Sequence, residues 1–255
     1  MCSSDLRRLG ALTHVDDPER IRAYRDLLTS AALPRDVESN LFAAMLFFSF
    51  WPTGAQGIRR GLEDLRSRPQ LVAEILDLLE YREQVSRSLP QPLSGLVKSP
   101  LRSHAQYSRE ELLAGLGMGT LDPGTPGSIR EGVKWMPTLR TDALLVTLKK
   151  SEADYSPTTM YRDYAINQDY FHWESQSTTS SESVTGRRYA THVQGGSNVV
   201  LFVRRAKSGD IGTEPYTCLG TAVFDHATGS RPMQIAWKLD RAMPVDLFLE
   251  ARAAA

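Results

Sequence analysis

Apolar residues in the first hundred positions recur every three to four residues. Ile21, Tyr24, Leu27, Leu28 and Ala31 mark one such stripe. Asp17-Pro18-Glu19 precedes it: a capping acid, a proline suited to a first helical turn, and a second acid. Pro34 should end that helix. A second helix is expected from about Asp36 through "LFAAMLFFSF". It is apolar on most sides, so it should be the buried member of a bundle. Trp51-Pro52 and glycines 54, 57 and 61 should stop it. A third is expected from Pro69, with Leu71, Val72, Ile75, Leu76 and Leu79 on one face. Its other face carries Glu74, Asp77, Arg82 and Glu83 and should be solvated. Residues 88–100, "SLPQPLSGLVKSP", read as a linker. Ser108 and Glu111 then form a capping-box pair ahead of Leu112, Leu113 and Leu116. Residues 117–128 read as a loop.

Beyond that loop the period becomes strand-like. Strands are expected over residues 143–149, 169–176, 197–205, 216–224 and 233–240, most of them separated by glycine-rich or polar turns. The expected class is α+β: an N-terminal helical bundle, then a mainly antiparallel β domain, either a sandwich or a small barrel, with a few helices. The organisation reads as 7–87 helical, 88–100 linker and 101–255 β-rich. Residues 1–6 read as a non-native leader, because "CSSDL" is what a common sequencing-adapter sequence encodes in one frame. The chain is then expected to be a fragment of something longer.

The chain has 255 residues with formal net charge zero, 41 % hydrophobic and 24 % charged. Those values suit a soluble globular protein and argue against a polybasic nucleic-acid coat or membrane binder. From Lys98 onward there are 18 Lys+Arg against 17 Asp+Glu, so no basic half hides within the neutral total. Two cysteines, Cys2 and Cys218, exclude a disulfide scaffold and a four-thiolate zinc site. Cys218 reads as a small buried hydrophobe. The longest apolar run, residues 41–48, is far short of the ~20 needed to span a bilayer. With no signal-peptide pattern, the default compartment is the cytoplasm.

Most catalytic motifs fail on spacing. There is no G-x-x-x-x-G-K-[ST] loop and no G-x-S-x-G elbow. No histidine opens an H-x-K pair, and Thr147 stands where a restriction-type nuclease needs an acid two residues before Lys149. His172-Trp173-Glu174 reads H-x-E but lacks the P-C-x-x-C partner of zinc deaminases. Asp163 and Asp169 read more simply as turn or strand-end acids than as a metal pair.

What remains is "NQDYFHWESQSTTSSES", residues 167–183. As a strand it points Phe171, Trp173 and Ser175 one way and Tyr170, His172, Glu174 and Gln176 the other. The first face should join the core. The second offers two rings, a carboxylate and an amide, suited to stacking on a base and bonding its edge. Alternatively, these residues merely cover a sheet edge. Tyr161 belongs to the same aromatic-rich segment. Arg187 and Arg188 in "TGRRYATH" are the nearest approach to a phosphate-contacting cluster, or else a solvated turn.

The runs "SHAQYSREELLAGLG", "LKKSEADYSPTTMYRDYAI", "FHWESQSTTSSESVTGRRY", "PYTCLGTA" and "GSRPMQIAWKLDRAMP" resemble a bacterial domain of unknown function. That domain lies at the C-terminus of large DEAD/DEAH-box (superfamily II) helicases. The helices from "HVDDPERIRAYRDLL" to "LDLLEYREQV" are similar to the helical region between motor and domain. The resemblance implies a parent with ATP-binding motifs, and often a phospholipase-D-like nuclease, upstream. No position here matches the motor residues, so no cofactor is expected in this segment; ATP and Mg belong to the motor. No catalytic residue carries over.

The expectation is an accessory nucleic-acid-binding domain, of DNA more than RNA, serving a helicase motor in cis in DNA repair or phage defence. Tyr161, Tyr170, His172, Glu174, Gln176, Arg187 and Arg188 are its candidate contacts. A scaffold joining motor to nuclease or partner is the first alternative. A metal-dependent nuclease using Asp163, His172 and Glu174 is the second.

Overall fold

The computed structural model describes residues 9–30, 32, 34–52, 57–118, 132–149, 162–209 and 212–253. The chain divides into two compact units, Met1–Arg130 and Glu131–Ala255.

The first unit is helical. Helix α1, Pro18–Thr29, starts at Asp17, whose side chain accepts from the Glu19 N–H at 3.0 Å. It buries Ile21, Tyr24, Leu27 and Leu28, as the stripe predicts. Helix α2, Val37–Phe50, is capped by Asp36 and buries eight side chains from Phe42 to Phe50. A further helix, Ile58–Arg66 (α3), stands where glycines were expected to break structure. Gly61 lies inside it because α2 lies close: a Cβ there would come 2.4 Å from the Phe47 ring. Ile58, Leu62 and Leu65 face inward at helical spacing. Helix α4, Pro69–Val85, buries Leu71, Ile75 and Leu79.

Residues 88–100 are packed rather than a free linker. Gln91–Pro92 (β1) pairs antiparallel with Arg102–Ser103 (β2), and Leu93 and Leu96 are buried. Gln106–Tyr107 (β3) is a second short strand. Helix α5, Arg109–Gly115, carries the expected capping box of Ser108 and Glu111. It packs on α2, so residues 101–118 group with the helices and the boundary between units falls later than expected. Proline and serine marked irregular backbone there, but leucines every few residues keep it on the core.

In the second unit, seven strands form one open sheet in the order β4-β5-β8-β11-β12-β7-β6. Their ranges are Val133–Met136 (β4), Thr141–Thr147 (β5), Tyr164–Asn167 (β6), Tyr170–Glu174 (β7), Asn198–Arg204 (β8), Tyr216–Thr228 (β11) and Gln234–Leu239 (β12). A two-stranded ribbon, Ser208–Gly209 (β9) and Gly212–Thr213 (β10), stands apart. All five expected strands are present. The α+β class holds, but the sheet is neither a closed barrel nor a sandwich, and it is mixed, because β5 and β8 run parallel. Both are near-continuous apolar runs, the composition of strands covered on both faces.

One face of this sheet carries the core: Leu144, Val146, Phe171, Trp173, Val199, Leu201, Ile235 and Trp237 among others. Two helices that periodicity did not predict supply part of its cover. Tyr189 of Val184–Ala190 (α6) and Leu247, Phe248 and Ala251 of Val245–Arg252 (α7) pack on it. Helix α6 is short and polar, with its N-terminus held by Ser183 accepting from the Gly186 N–H at 3.0 Å. A Cβ at Gly186 would fall 2.0 Å from the Ser180 carbonyl oxygen, so this turn admits only glycine. Cys218 is fully buried, and burial pushes its thiol up to about 12, as befits a core residue. Among the described residues no helix is long and apolar enough to cross a membrane.

Candidate nucleic-acid interface

Strand β7 alternates as its sequence dictates. Phe171, Trp173 and Ser175 are buried; Tyr170, His172, Glu174 and Gln176 are half-buried on the opposite face. Strand register then builds a surface around the second set. Tyr170 stands opposite Lys238 of β12, which stands opposite Val223 of β11. In the next row Tyr164, His172, Ala236 and His226 follow one another across β6, β7, β12 and β11. Glu174, Gln234 and Thr228 form a third row. Lys238, Gln234, Thr228, His226 and Val223 are exposed. The result is a polar-aromatic face across four strands, with the small Ala236 at its middle.

His172 is held from two sides. The Tyr164 ring stacks on it, centroids 4.5 Å apart and planes within 15°. Its Nδ1 lies 2.9 Å from the Arg162 carbonyl oxygen. Glu174 accepts from the Arg162 N–H at 3.1 Å and from Gln234 Nε2 at 3.4 Å. The buried Asp163 accepts from the Glu174 N–H at 3.0 Å. Asp163, His172 and Glu174 thus anchor residues 162–163 to the edge of β7 rather than converge on one point. Among the described residues no group of three His, Cys, Asp or Glu side chains could hold a metal ion.

The two arginines lie elsewhere. Arg188 Nε and Nη2 donate to the two carboxylate oxygens of Asp142 at 2.7 and 2.8 Å. Its guanidinium also lies 4.3 Å from the centre of the Trp135 ring. The Asp142 side chain is fully buried. Burial raises its pKa and the Arg188 fork opposes that rise. Arg188 therefore balances a core carboxylate. Arg187 is exposed. Both belong to α6, which covers the core face, and Asp142 sits on β5, four strands along from β7. At ~4.8 Å per strand that is roughly 19 Å. The fold therefore does not bring the arginines to the face carrying Tyr170 and His172. Tyr161 lies outside the described residues.

Sequence reading missed Tyr164, Gln234 and Lys238 as members of this face. Their only signal is register between strands distant in the chain, which a single sequence does not carry. It also missed Asp142, a lone acid at the head of an apolar run and hence a candidate for a buried partner.

The first unit carries a separate groove of about 530 Å³, lined by Glu19, Arg22, Asp26, Phe42 and Arg102 among others. Arg102 there is paired with Glu19 and, at 3.5 Å, with Glu38. None of the described candidate contacts lines it.

A comparison with curated proteins returned no match. Residues 101–251 match the family described as "Domain of unknown function (DUF3427)". That match covers more than half of the chain and includes every strand of the large sheet, and the chain therefore belongs to the DUF3427 family.

Proposed function

We propose that this chain is an accessory nucleic-acid-binding domain that lays a single strand across the outer face of β11, β12, β7 and β6. The observation that carries this reading is the register of Tyr170, His172, Gln234 and Lys238 on one open face. Tyr170 is a half-exposed ring available to a base, and Lys238 directly opposite it supplies a cation for the backbone. Such pairing of aromatic and cation is how sequence-tolerant single-strand binders work. The sequence resemblance to helicase C-terminal regions supports a parent in which a motor hydrolyses ATP and this domain recognises its DNA substrate.

The test is binding of the whole chain to single-stranded and forked DNA at low salt, followed by fluorescence anisotropy. Tyr170→Ala should weaken binding by about 1–3 kcal/mol, the range for one base–aromatic stack. Lys238→Ala should reduce the salt slope by about one. Arg187→Ala, on the opposite side of the sheet, should change little. Absence of binding to every DNA and RNA form at low salt defeats the reading.

A second reading, a protein-docking scaffold for the motor, draws on the groove of the helical unit. Co-elution with motor domains in the absence of nucleic acid, abolished by Phe42→Asp, would favour it over DNA recognition.

A further inference from the structure

We propose that His172 is a specificity-determining residue of this face, accepting a hydrogen bond from an exocyclic amino group, so that cytosine is preferred to thymine. The inference rests on the nucleic-acid reading above and names what that surface selects. A carbonyl oxygen only accepts, so the contact between Nδ1 and the Arg162 oxygen at 2.9 Å places the ring proton on Nδ1. In the neutral ring Nε2 is then a bare acceptor, and it makes no hydrogen bond within the described residues. Tyr164 covers one side of the imidazole and Ala236 flanks the other. With one face taken by Tyr164, the bare Nε2 is the polar part of the ring left for a ligand. Stacking falls to Tyr170, and His172 is left to read.

Glu174 reinforces the choice. It lies two residues along the same strand, on the same face, and as a carboxylate it only accepts. Both of its oxygens already take one donor, from Arg162 N–H and Gln234 Nε2, and each keeps further lone-pair capacity. Gln234, opposite it, gives one N–H to Glu174, accepts from the Thr228 hydroxyl at 3.3 Å and keeps its second N–H. Along β7 itself, His172 Nε2 and the Glu174 oxygens are acceptors. Cytosine presents an N4 amino donor where thymine presents the O4 acceptor. Set against His172 Nε2, the thymine carbonyl meets a lone pair and loses its water without a replacement.

The experiment compares short oligo-dC and oligo-dT binding to the full chain at mildly alkaline pH, where cytosine is neutral and the two pyrimidines stack alike. One neutral hydrogen bond contributes about 0.5–1.5 kcal/mol, so oligo-dC should bind about two- to tenfold more tightly. His172→Phe keeps a ring against Tyr164 and removes the acceptor. It should abolish the preference, so that oligo-dC and oligo-dT bind this variant equally. Independently of any variant, ¹⁵N spectra of the wild-type imidazole should show the Nδ1–H tautomer for His172. Equal binding of the two oligonucleotides, a preference that survives His172→Phe, or an Nε2–H tautomer would each overturn this inference and leave the nucleic-acid reading standing. Failure to bind either oligonucleotide would overturn both.

Discussion

Arg20 and Glu111, 91 residues apart, meet at 3.2 Å with neither side chain exposed to solvent. Glu111 also accepts from the Tyr24 hydroxyl and the Ser108 N–H, each at 2.8 Å, and contacts His14 Nε2. Arg20 in turn donates to the Gln106 carbonyl oxygen at 2.7 Å and lies over the Tyr107 ring. The capping glutamate of α5 thus doubles as the anion that admits an arginine into the helical unit. Removing one partner of such a pair leaves a buried charge uncompensated. Glu111→Ala should therefore destabilise the protein by about 3–5 kcal/mol, read as a lowered urea midpoint.

The same carboxylate makes the helical unit acid-sensitive. Burial pushes its pKa up, but the positive charges of His14 and Arg20 and the hydrogen bonds outweigh that, holding it at about 2 against 4.5 when free. A carboxyl depressed on folding contributes stability that is complete above about 4.5 and is lost as pH falls through about 2. Asp16 and Asp17 run the other way: burial raises both, so whatever they contribute is lost as pH rises. The Glu111 contribution is isolated by comparison. Unfolding free energy of the wild type should fall more steeply between those two pH values than that of Glu111→Gln.

His192 should make the second unit sensitive nearer neutrality. Its Nδ1 lies 3.1 Å from the Ser197 carbonyl oxygen and its Nε2 accepts from the Phe224 N–H at 3.1 Å. Both ring nitrogens are thus satisfied in the neutral form, and a proton on Nε2 would face another donor. Burial lowers its pKa below 6.5, against smaller opposing effects of Ser197 and Asp142. Its stabilising contribution is present above about 6.5 and is lost as pH falls through the lowered value. Thermal midpoints measured from pH 8 downward should drop across that window in the wild type and less so in His192→Phe.

Adjacent arginines should behave differently. Arg188→Ala strips the buried Asp142 of both its charge-assisted bonds and should cost about 2–3 kcal/mol. Arg188→Lys keeps the charge but not the fork and should recover only part of that loss. Arg187→Ala, at an exposed site, should stay within about 0.5 kcal/mol of the wild type. Equal midpoints for the two alanine variants would contradict the role given to Asp142.

Local chemistry alone determined much of this protein. The caps Asp17, Asp36 and Ser108, the inward stripes of three helices, five strands and the alternation of β7 all follow from neighbours a few residues apart, which is where capping and periodicity act. Helix α3 escaped because Gly61 looks like a breaker until Phe47 is known to stand against it. Helix α6 escaped because its seven residues carry too few apolar positions to show a period. The parallel pairing of β5 with β8 is set between segments over fifty residues apart, so the mixed open sheet was not legible. The candidate site divided the same way. Strand alternation put Tyr170 and His172 on one face, a local property. Only the tertiary structure decided that Lys238 and Gln234 join them, that Tyr164 closes one side of His172, and that Arg188 turns to Asp142. Those outcomes depend on register and on which buried charge needs a partner. Both are set by packing the whole unit and by no stretch of it alone.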